Sequence, residues 1–125
     1  MTPLVVLGVV VAGGLGAVAR FVVDAVVRGR TSGAYPVGTA VINVTGSFVL
    51  GVVTGLVLAH AMPEAVRSVV GTGFLGGYTT FSTASFETVR LMEQGRVRAA
   101  VGYALGTLVA TVGVAALGLW LGLQA

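Results

Sequence analysis

The sequence predicts an all-α membrane protein of four transmembrane helices, the third of them broken. Three observations predict it. The 125 residues are 56% hydrophobic and only 9% charged, against about 25% charged in a soluble domain, and the mean hydropathy is +1.02. Four long windows carry no charged residue and no His: Met1–Ala19, Thr31–Ala59, Ser68–Phe86 and Ala99–Ala125. A helix needs about 20 apolar residues to cross a bilayer core, and each window reaches or nearly reaches that length. The connections are short and leave no room for a soluble domain. This composition excludes a soluble enzyme. The Arg residues are scattered between apolar blocks and Lys is absent, which is not a nucleic-acid footprint. With no Cys and His60 as the single His, neither a disulfide frame nor a thiolate or histidine metal cluster can form.

The first helix is expected over about Pro3 to Val27. No basic leader precedes it and its apolar stretch outruns a signal-peptide core, so it reads as a mature span. Arg20 and Asp24 stand at i and i+4 near its end. Arg20 either pairs with Asp24 or lends positive potential to an aqueous vestibule that recruits anions. The second helix is expected over about Pro36 to Ala61. Thr39, Asn43 and Ser47 fall at i, i+4 and i+8 on nearly one face. Polar side chains inside a span are costly and mark functional candidates. Asn43 can donate two hydrogen bonds through its amide, either as interhelical glue or as a donor lining an anion path.

The third span, about Ala65 to Met92, is the least regular. Gly76-Gly77 is followed by Thr79-Thr80 near its centre, and Gly costs about 1 kcal/mol against Ala in a helix. Six of the seven residues from Tyr78 to Ala84 are aromatic, hydroxyl-bearing or β-branched, all poor local helix formers. A break at the glycine pair is therefore expected. At bilayer depth such a break survives only where protein, water or an ion satisfies the freed groups, and freed carbonyls suit a cation. The same segment offers Phe81, Ser82, Thr83, Ser85 and Phe86. Ring edges and hydroxyls together can replace part of an anion's water shell.

The fourth helix, about Val97 to Leu123, repeats the polar stripe with Tyr103, Thr107 and Thr111 at i, i+4 and i+8. The twenty Gly favour close helix association. Gly51 with Gly55, Gly102 with Gly106, and Gly118 with Gly122 are small-xxx-small pairs that serve either inside the chain or between chains.

Three motifs together resemble the Fluc (CrcB) family of small fluoride channels. They are Gly13-Gly-Leu-Gly-Ala-Val-Ala-Arg20, Gly38-Thr-Ala-Val-Ile-Asn-Val-Thr-Gly46 and Gly73-Phe-Leu-Gly-Gly-Tyr-Thr-Thr-Phe-Ser-Thr83. With the four-span layout the resemblance covers nearly the whole chain. It implies an antiparallel dimer of four-helix subunits with two fluoride pores. It also implies a structural sodium ion at the dimer interface, held by backbone carbonyls that map to Gly76 and Thr79. By motif position Asn43 matches the pore asparagine, Phe81 the first pore phenylalanine, and Ser82 and Thr83 the pore hydroxyls. Arg20 matches the vestibule arginine. The family's polar track in helix four maps to Tyr103, Thr107 and Thr111, and Thr39 joins the path from helix two. One departure stands out: the family run Phe-Ser-Thr-Phe-Ser is here Phe81-Ser-Thr-Ala-Ser85, so Ala84 replaces a second pore phenylalanine.

Charge placement adds an orientation. Arg28, Arg30, Arg90, Arg96 and Arg98 flank loops one and three, while Arg67 alone flanks the other side. The positive-inside rule puts loops one and three in the cytoplasm of a bacterial-type inner membrane, with both termini outside. So strong a bias fixes one orientation. Together with Ala84 it points to a heterodimer with an oppositely biased relative, a homodimer being the alternative assembly. A small dual-topology drug/proton antiporter shares the size and span count, but it needs a buried carboxylate in helix one, and residues 4–19 hold none.

Overall fold

The computed structural model describes residues 1–33 and 35–125. Three uninterrupted helices are long and apolar enough to cross a membrane. They are α1 (Pro3–Arg30), α2 (Val37–Leu58) and α6 (Val97–Leu123). Between α2 and α6 the third span is built in pieces. A short turn α3 (Glu64–Val66) leads into a π-helical segment (Arg67–Leu75), then α4 (Gly76–Tyr78) and α5 (Phe81–Glu93). The other expected span is present as a bent, interrupted helix, and no strand occurs among the described residues.

Local chemistry sets the ends. Thr2 caps α1 by accepting the Val5 amide hydrogen at 3.2 Å, with Pro3 in the first turn, where its missing N–H costs nothing. Arg28 and Arg30 lie in the last turn and complement the helix dipole. They carry α1 to Arg30, beyond the expected Val27. At the end of α2 the His60 amide bonds Val57 and the Ala61 amide bonds Leu56, and His60 sits at φ 60°. This is a left-handed C-terminal cap, and it ends α2 at Leu58 rather than Ala61. Gly95 makes the same closure after α5, at φ 75°. A non-glycine residue in this region costs about 1–2 kcal/mol. His60→Gly is therefore expected to raise stability by about 1 kcal/mol, measured by thermal unfolding in detergent.

Glycines bring the helices into backbone contact along two seams. On the first, a Cβ on Gly16 would overlap the Phe74 carbonyl oxygen, and one on Gly77 would overlap the Gly13 carbonyl oxygen; one on Gly73 would lie 2.9 Å from the Val9 carbonyl oxygen. Val69, Gly73 and Gly77 thus meet α1 at every fourth residue. The wider i→i+5 turn of the π segment holds more residues per turn than an α-helix, which keeps positions four apart nearer one line. On the second seam, Gly51 and Gly55 face Ala115 and Leu119, while Gly118 and Gly122 face Phe48 and Val52. Two of the three small-xxx-small pairs are therefore used inside the chain. Gly102 and Gly106 meet nothing within 4 Å.

The break falls two residues later than the glycine pair. Gly76 keeps helical angles (φ −61°, ψ −39°), and Thr79 (φ −79°, ψ 161°) and Thr80 (φ −149°, ψ 123°) are extended. Glycine permits a break but does not demand one. Gly77 is held helical by its contact with Gly13, and the β-branched Thr pair takes the extended conformation.

Candidate ion pathway

The break is held by one side chain. Asn43, half-buried on α2, donates its Nδ2 hydrogen to the Thr80 carbonyl at 2.8 Å, and its Oδ1 accepts the Thr80 amide hydrogen at 2.9 Å. The two bonds fix the amide orientation, since a flip would oppose donor to donor and acceptor to acceptor. In an unbroken helix the Thr80 amide would close onto the Gly76 carbonyl and the Thr83 amide onto that of Thr79. Here the first goes to Asn43 and the second to Thr80 Oγ1 at 3.1 Å. Both carbonyls lose their helical donors. These are the two carbonyls expected to hold a cation, and Gly76 and Thr79 line the same groove. The carbonyl pair fits a hard monovalent ion such as sodium, which takes oxygen donors.

Two neighbouring hollows share Asn43, Phe81 and Thr111. One, of about 290 Å³, is lined also by Ser47, Gly76, Thr79 and Thr80. The other, of about 420 Å³, lies between α5 and α6 and is lined also by Ala84, Ser85, Tyr103 and Thr107. The polar stripe of α6 thus lines the same hollow as Asn43. Its hydroxyls are partly committed: Thr107 donates to the Tyr103 carbonyl at 2.6 Å and Thr111 to the Leu108 carbonyl at 3.0 Å. Tyr103 is fully buried, and its hydroxyl has no partner among the described residues. Phe81 is 87% exposed, so it does not pack within this chain. Ala84 packs instead against the buried Leu91, Ala100 and Tyr103, leaving space where a larger side chain would stand.

A third hollow, of about 430 Å³, opens at the end carrying loops one and three. It is lined by Asp24, Arg28, Tyr35, Thr83, Glu87 and Arg90 among others. Arg20 is not paired with Asp24: Asp24 Oδ2 takes the Arg28 Nε at 2.8 Å. Both arginines lie within reach of Asp24, at i−4 and i+4, and the structure selects Arg28. Arg20 is half-buried and makes no ion pair among the described residues. Ser82 is exposed at the start of α5. Thr39 is buried, lines none of these hollows, and donates its hydroxyl to Glu87 Oε1 at 2.5 Å.

Glu87 is the residue that the sequence analysis did not single out. It lines the hollow with Thr83, four residues before it on the same face of α5. That i, i+4 pairing was the available signal. Its bond to Thr39 spans 48 positions and has no local signature.

The sequence profile described as "CrcB-like protein, Camphor Resistance (CrcB)" matches residues 7–119. The chain is 60% identical over 122 residues to "Fluoride-specific ion channel FluC 1" of Leifsonia xyli subsp. xyli, covering 98% of this chain and 89% of that protein. It is 46% identical over 120 residues to "Fluoride-specific ion channel FluC 2" of Cutibacterium acnes, covering 95% and 98%. It is 39% identical over 121 residues to "Fluoride-specific ion channel FluC 2" of Mycobacterium tuberculosis, covering 97% and 93%.

Proposed function

The chain belongs to the CrcB family, and on that premise we propose that it is a fluoride channel subunit that lets fluoride leave the cytoplasm passively and so relieves its toxicity. The observation that carries the anion reading is a surplus of donors beside the break. Asn43 spends one amide hydrogen on Thr80 and keeps a second, because the group has two. The buried Tyr103 hydroxyl has no hydrogen-bond partner within normal geometry among the described residues, and the Ser82 and Thr83 hydroxyls stand at the start of α5. Fluoride is small and tightly hydrated, so its path must offer donors throughout and still release it. The Phe81 ring edge adds a positive rim. Thr107 and Thr111 must turn their hydroxyls away from the helix backbone to donate. Arg20, which makes no ion pair among the described residues, adds positive potential that recruits anions.

The proposed assembly is an antiparallel pair. The exposed Phe81 and the open hollows beside α5 are surfaces that a second subunit would complete. The Gly76 and Thr79 carbonyls would hold sodium where the subunits meet, and the ion would supply fixed positive charge there. Arginine placement supports loops one and three being cytoplasmic. It also supports a partner of opposite bias rather than a second copy, and Ala84 leaves room for an aromatic group the partner supplies. The test is fluoride efflux from liposomes, followed with a fluoride electrode and with chloride as the control anion. The single chain is expected to release fluoride at no more than about a tenth of the rate it shows with an oppositely biased partner. Robust release by the single chain would remove the obligate pair, and chloride release at an equal rate would remove fluoride selectivity.

A further inference from the structure

We infer that Thr80, buried at the break and absent from the family-matched pore residues, is a positioning residue that sets the hydrogen-bond polarity of both pore faces. The inference rests on the fluoride reading above. Thr80 is 8% exposed and all of its polar atoms are used. Its amide and carbonyl hold the two ends of the Asn43 amide. Its hydroxyl oxygen accepts the Thr83 amide hydrogen at 3.1 Å, capping α5, and its hydroxyl hydrogen goes to Thr83 Oγ1 at 3.1 Å.

Hydrogen accounting gives the consequence. A hydroxyl has one hydrogen and two lone pairs. Thr83 Oγ1 already accepts from Thr80, so its own hydrogen is left to be donated elsewhere. Ser82 Oγ lies 3.3 Å from Thr80 Oγ1. Because the Thr80 hydrogen is spent on Thr83, Ser82 is the donor whenever that contact forms. On the other side, the Thr80 carbonyl takes one of the two Asn43 Nδ2 hydrogens and its amide holds the group in that orientation, so the second N–H is left to be donated. Thr83 lines the hollow at the end carrying loops one and three, and Asn43 lines the other two. Thr80 stands between them and turns a donor outward on each side. An anion approaching either side of the break meets an N–H or O–H that is free to donate.

The test substitutes the chromosomal copy in the source organism, so that any partner subunit is present. It reads fluoride efflux from preloaded cells, with membrane abundance by immunoblot. Thr80→Ser keeps the hydroxyl and is expected to stay within about twofold of wild type. Thr80→Val keeps the shape and both backbone groups but loses the relay, and is expected to fall at least about tenfold at unchanged abundance. In a Thr83→Val background the further loss from Thr80→Val should shrink to within about twofold, because the two act as one unit. Equal efflux in Thr80→Val and wild type overturns the inference, as does a full tenfold loss in the Thr83→Val background. If Thr80→Val fails to reach the membrane, Thr83→Val alone decides. It leaves the cap on its own backbone amide intact, so a tenfold loss is expected and wild-type efflux overturns the relay. Deletion of the gene with no change in efflux instead overturns the fluoride function itself.

Discussion

Fluoride flux is expected to fall to background when Asn43 is replaced by Ala. The loss has two sources. The amide hydrogen left for the anion disappears, and the break loses both bonds that hold it open. Thr80 is nearly buried, so its orphaned amide and carbonyl each cost about 1–3 kcal/mol until they find new partners. The partner a continuous helix would give the amide is the Gly76 carbonyl, one turn back. Closing that bond would heal the helix and withdraw a carbonyl from the cation site. Asn43→Ala should therefore lose flux and shift the thermal midpoint together. Phe81→Ala is the contrast: the ring touches little within the chain, so flux should fall at least about tenfold with stability of the single subunit nearly unchanged. Unchanged flux in both variants would remove this pathway.

Gly77→Ala is expected to destabilise the fold by at least about 1–3 kcal/mol, the cost of overpacking a close contact. The added methyl would meet the Gly13 carbonyl oxygen and its backbone neighbours, none of which can swing aside. Moving α1 away would also open the contacts at Gly16 and Gly73. Gly106→Ala is the control on the same scale. It faces open space within the chain, and a change there should stay within about 0.5 kcal/mol for the isolated subunit. Thermal unfolding in detergent reads both, and equal midpoints for the two variants would contradict the seam.

The spans were legible because composition and charge spacing report the bilayer directly. Asn43 was legible as a costly polar residue, but its partner was not, since Thr80 lies 37 positions away. The break shows the limit of local reasoning more clearly. Helix propensity points to Gly76-Gly77, and propensity is overridden there by α1, which needs Gly77 for close approach. The Asp24 pairing fails for a different reason: Arg20 and Arg28 are equally spaced from it, and spacing alone cannot choose. Glu87 gave no signal of its own, because its partner Thr39 lies on another helix, 48 positions away.

The two glycine seams also dictate an order of assembly. Gly13 meets Gly77 and Gly51 meets Ala115, so the first helix pairs with the third and the second with the fourth. Sequential neighbours usually pack first, but here the closest backbone contacts skip one helix each time. During synthesis the first helix must wait in the bilayer for the third, and the second must wait for the last. Neither pair is a hairpin of adjacent helices. The fourth helix thus seats against one made well before it, and the second seam exists only once both are in the bilayer.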